Sequence, residues 1–142
     1  MSRWRHEALK RLPQLQKVIA EADNVMALWI ELRYEFENAY RQDPPDEKTI
    51  AAIYSYADCC LRAPRGPDAA HDPSTAVTIS FHEEIPTIPA ARDDMPRWFT
   101  YPEVANNRVV FGYLIDDREL ESLLAHMQKN RHRYQPRASI SQ

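Results

Sequence analysis

A chain of 142 residues, 44% hydrophobic and 27% charged, has the composition of a globular protein and the length of one domain. With only two glycines, Gly66 and Gly112, it has neither a Walker loop nor a dinucleotide fingerprint, both of which need several residues without Cβ at close spacing. Its two cysteines, Cys59 and Cys60, are adjacent and can build neither a disulfide framework nor a four-ligand zinc site.

The net charge of −3 conceals an uneven distribution. Residues 1–18 carry +4 and residues 125–142 another +4, leaving −11 on the segment between them. Basic ends of this kind either contact an anionic polymer or fold back on the acidic middle. No run approaches ~18 uninterrupted apolar residues, and Met1 to Lys17 has no continuous apolar stretch, so a cytoplasmic protein with no membrane partner is expected.

A first amphipathic stretch runs from Trp4 to Asp23, interrupted at Pro13, with Leu12, Leu15, Val18, Ile19 and Ala22 at steps of three and four. A second, Asn24 to Arg41, places Val25, Leu28, Trp29, Leu32, Phe36, Ala39 and Tyr40 on one face; Met26 and Ile30 widen it, so a central helix is expected. Asn24 caps it, and Arg33–Glu37 and Glu37–Arg41 pair on its outer side. Pro44 and Pro45 end it. Asp46 then opens a third helix reaching Ala63, with Ile50, Ile53, Tyr54, Ala57, Cys60 and Leu61 inward and Lys48, Ser55, Asp58 and Arg62 outward.

Residues Pro64 to His71 read as a loop, and Asp72-Pro73-Ser74 as a helix start. Thr75 to Ile85 fits two periods. Val77, Ile79 and Phe81 alternate with polar residues, whereas Val77, Phe81 and Ile85 lie four apart. The cap favours helix, and the alternative is an α+β fold pairing 75–83 with 108–115 as two strands. Thr87 to Tyr101, with Pro89 and Pro96, is expected as short helical turns joined by bends. Asp116 or Asp117 opens a last helix with Leu120, Leu123, Leu124 and Met127 inward, and residues 131–142 read as a frayed basic tail. The expected fold is all-α: one domain over residues 1–142, a compact bundle or short stack of about five helices.

Ile53 to Leu61, Thr75 to Glu83, Met95 to Phe99 and Val110 to Leu114 resemble a family of small, helical bacterial proteins known only as a domain of unknown function. The resemblance spans Ile50 to Met127, roughly half of the chain, and rests on hydrophobic patterns. It implies short stacks of paired helices, which supports a helical 75–85, and it brings no catalytic residues.

Three constellations carry candidate chemistry. Arg97, Trp98 and Tyr101 lie in a proline-bounded segment and combine the residue types that dominate protein interfaces, although Trp98 and Phe99 also suit core plugs. His82-Glu83-Glu84 offers an imidazole and carboxylates for metal or proton chemistry, but no acid or histidine lies four residues from His82. The doublets Asp93-Asp94 and Asp116-Asp117 read as helix caps. Among the cysteines, Cys60 falls on the inner stripe and Cys59 at its border. The reading that follows is a non-catalytic protein-interaction module, of adaptor or toxin-neutralising type, with no metal and no cofactor. One alternative is a nucleic-acid binder using Met1 to Lys17 and Arg131 to Arg137, and another is a metal-dependent enzyme centred on His82 and Glu83.

Overall fold

Hydrophobic stripes at helical spacing, cut by eleven prolines, produce many helices of which few are long. The structure, a computed structural model, describes residues 1–136. Among them are nine α-helices and no strand: α1 (Arg3–Arg11), α2 (Gln16–Glu21), α3 (Val25–Arg41), α4 (Glu47–Leu61), α5 (Pro73–Val77), α6 (Pro89–Trp98), α7 (Tyr101–Ala105), α8 (Arg108–Phe111) and α9 (Asp117–Lys129). The fold is all-α, and the strand pair 75–83/108–115 does not form. The first of those segments is α5 followed by a π-turn, Thr78–His82, and the second contains α8. Several of the nine are one or two turns long, which raises the number above the five expected. Among the described residues, the contacts divide the chain into two compact units, residues 1–81 and residues 82–136.

In the first unit, α3 packs on α4 and α5, and α1 packs on α4. Asn24 accepts the Ala27 N–H at 2.8 Å to start α3, and Asp46 accepts the Thr49 N–H and hydroxyl at 3.2 and 2.7 Å to start α4. Glu37 accepts from Arg33 at 2.9 Å and from Arg41 at 3.3 Å on the outer side of α3. The unit's centre is aromatic. Trp29, fully buried, stacks on Tyr56 at 5.4 Å and on Phe81 at 5.1 Å between centroids, while Phe36 meets Phe81 and Tyr54 edge-on at 4.8 and 5.5 Å.

Three details differ from a single-stripe reading. Ser55 is buried and Tyr56 wholly so, because α4 is covered by α1 as well as by α3 and α5; the Tyr56 hydroxyl donates to the Trp4 carbonyl at 2.9 Å. Leu61, the last residue of α4, is exposed, as is Ile30 on α3. Gly66 is fixed by close approach: a Cβ there would overlap the His71 carbonyl.

In the second unit, α6 packs on α9 and on the turns Ile85–Thr87 and Arg131–Arg133, and α7 packs on α8 and α9. Met95, Val104, Phe111, Leu123 and Met127 fill its interior. Thr100 and Asp116 each form a reciprocal capping box, with Glu103 and Glu119 respectively. Residues Pro89–Trp98 form one helix rather than separate turns. Pro89 occupies the first turn, and Pro96 forgoes a single ladder bond near the far end. Arg131–Arg133 form a 3-10 turn instead of fraying, and the remainder of the expected tail, 137–142, lies outside the described residues.

Replacing Trp29 with alanine removes the ring on which Tyr56 and Phe81 both rest. The expected loss is about 3–5 kcal/mol, read from the urea midpoint. Asp72 yields a pH prediction. It accepts the Thr75 hydroxyl at 2.5 Å and the Gly66 N–H at 3.2 Å, and the Thr75 bond foremost holds its carboxyl below the usual range. A carboxyl whose pKa is lower in the folded state stabilises the fold above about pH 4, and that contribution is lost as pH falls through the folded value. Thermal midpoints are therefore expected to drop below about pH 4. The Asp72→Asn variant is expected to start lower at neutral pH and to show a shallower acid limb.

Candidate functional site

Arg97, Trp98 and Tyr101 fall at the junction of α6 and α7. The first two converge on Asp94, one turn back on α6 and only 8% exposed. Arg97 donates to its carboxylate at 2.9 Å, the Trp98 indole N–H at 3.4 Å, and Arg133 donates to the other oxygen at 3.0 Å. The Arg97 guanidinium also lies 5.1 Å from the centre of the Trp98 ring. Asp94 is thus a mid-helix hub and not a helix cap, because α6 begins at Pro89. Its neighbour Asp93 offers its carbonyl to Arg133 at 3.2 Å and to the His126 ring at 2.8 Å. Trp98 is 7% exposed and Phe99 is buried, so the indole presents almost no surface; Tyr101, the first residue of α7, is half-buried.

His82 belongs to a separate cluster in the same unit. Its ring stacks on Phe111 and meets the edge of Phe99, both at 5.5 Å, which gives the imidazole a packing role. Burial, followed by the adjacent Glu84, raises the Glu83 carboxyl above its usual range. Among the described residues no group of three or more His, Cys, Asp or Glu could hold a metal ion.

What the sequence left unmarked is the outer side of α8 and the turn behind it. Val109 is 80% exposed, Tyr113 67% and Leu114 45%. This turn is held against α9 at Gly112, where a Cβ would stand 2.9 Å from the Leu120 side chain and 2.7 Å from the Arg108 carbonyl. An ion pair, Arg108–Glu121 at 2.8 Å, lies on the same unit.

In the first unit, α1 and α4 border a cleft of about 200 Å³ lined by Trp4, Glu7, Tyr56, Cys59, Pro64 and Pro73 among others. Burial raises the Cys59 thiol above its usual range and pushes Cys60 up to about 12, so neither is a ready thiolate. The basic N-terminal segment is folded into this unit: Arg5 donates to the carbonyls of Ile19, Ala20 and Ala22 at 2.5–3.1 Å, and Arg11 pairs with Glu7. At the other end, Arg131 donates to the Gln128 carbonyl at 2.9 Å.

No protein-family model, curated protein or solved structure matches the chain. No helix among the described residues is long and apolar enough to cross a membrane. Chemical assignment therefore rests on the geometry above, in which Arg97 and Trp98 serve Asp94 while the side chains of Val109, Tyr113 and Leu114 face outward. Asp94→Ala would leave two guanidinium groups without their shared carboxylate. It is expected to cost about 2–3 kcal/mol in chemical denaturation, against a smaller loss for Tyr101→Ala.

Proposed function

We propose that the chain is a non-catalytic protein-interaction module, of adaptor or toxin-neutralising type, which docks a partner through α8 and the turn that follows it. The observation that carries this reading is the exposure of Val109, Tyr113 and Leu114 within six residues of a chain whose mean hydropathy is −0.62. Large apolar side chains exposed close together in sequence favour a contact surface, and tyrosine is enriched in such surfaces. Gly112 holds the turn on α9, so little ordering entropy is lost on docking. The excess of acid over residues 19–124 favours a basic partner.

Affinity capture from the native host, with the wild-type chain and with a Val109→Asp/Tyr113→Ala variant side by side, tests this directly. A basic protein retained by the wild type and lost from the variant, with helical circular dichroism unchanged, is the expected result. Tyr113→Ala alone should weaken that complex by about 2 kcal/mol. Equal retention on both chains, or nothing retained by the wild type, removes the proposal.

A further inference from the structure

The α1–α4 cleft, which the interaction reading leaves unused, carries a chemistry of its own. Its walls include Trp4, Tyr56, Cys60, Ala63, Pro64 and Pro73, and its volume is about 200 Å³. A dry apolar cavity of about 150 Å³ holds one benzene ring, so this cleft suits a single substituted ring.

Besides the two cysteines and Tyr56, three charged or titratable side chains reach the cleft, and two of them are committed elsewhere. Glu7 takes the ion pair with Arg11 and faces the Cys59 thiol at 3.8 Å. The His71 ring lies 2.6 Å from the Asp68 carboxylate. Arg3 has no hydrogen-bond or ion-pair partner among the described residues, and it is exposed at the mouth. It is also the first residue of α1, a nine-residue helix whose N-cap, Ser2, makes no side-chain capping bond. The positive end of a helix dipole therefore lies beside an uncommitted guanidinium. Within α1, Arg3, Arg5, Lys10 and Arg11 outnumber the single acid, Glu7, so the local field is positive although the chain as a whole is acidic.

We propose that this cleft binds a small aryl carboxylate, with the ring against Trp4, Ala63 and Pro64 over a floor of buried Tyr56 and Pro73, and the carboxylate at Arg3 at the start of α1. The ring supplies most of the affinity. Arg3, being exposed, supplies the preference for an anion over a neutral or cationic analogue.

The test titrates benzoate, benzyl alcohol and benzylamine into the full chain and follows the Trp4 indole and Cys60 amide resonances. Benzoate is expected to shift both and to bind about fivefold more tightly than benzyl alcohol, with benzylamine weakest. Arg3→Ala should bring benzoate down to the affinity of benzyl alcohol and leave benzyl alcohol unchanged. Ala63→Phe, which fills the cleft, should abolish binding of all three. Arg3 is exposed, so its variant carries the test alone if Ala63→Phe does not fold. Equal affinities, a preference for benzylamine, no shift with benzoate, or an Arg3→Ala chain that still prefers benzoate overturns the proposal.

Discussion

Trp29 sits between Tyr56 and Phe81, and the first unit is arranged around keeping that ring dry. The three rings come from α3, α4 and the π-turn after α5, so all three segments must be in place before any of them is covered. Each ring buries on the order of 150–250 Å², far more than a capping bond contributes. Asn24 and Asp46 decide where α3 and α4 begin, and Phe36 and Tyr54 complete the block edge-on. The helix boundaries are local choices. The packing that makes them worthwhile is not.

The second unit uses another device. Its helices are short, and a carboxylate under their junction gathers what they cannot satisfy separately. Asp94 binds side chains from its own helix and from the turn at Arg131–Arg133, which ties residues 39 apart in sequence. Such a hub adds little net stability over an apolar alternative of the same shape, yet it permits few other arrangements of the same side chains.

How much of this can be read from the sequence depends on how local the cause is. The α3 helix, with a five-turn stripe, a capping asparagine and a following Pro-Pro, was legible almost residue by residue. In α4 the inward stripe was legible up to Cys60, but the burial of Ser55 and Tyr56 was not, because α1, some fifty residues earlier, covers the helix in addition to α3 and α5. The segment from Thr75 fits two periods as text. Packing separates them, since Val77 and Phe81 are buried and Ile79 between them is exposed, as a helical turn requires. The candidate residues show the same limit. Arg97 and Trp98 do meet, but the carboxylate that gathers them is recognisable only when Arg133 is brought back from the far end of the chain. Val109, Tyr113 and Leu114 look like core residues in the sequence, and only their surroundings reveal that nothing in the described chain covers them.

The guanidinium of Arg5, locked onto three carbonyls at the end of α2, has a practical consequence for handling the protein. Arginine is the residue at which trypsin-like proteases cut, and they require an extended backbone that a helical Arg5 does not offer. Limited digestion near the amino terminus therefore reports transient opening of α1, and a clip at that point would free the end of α2 in the same event.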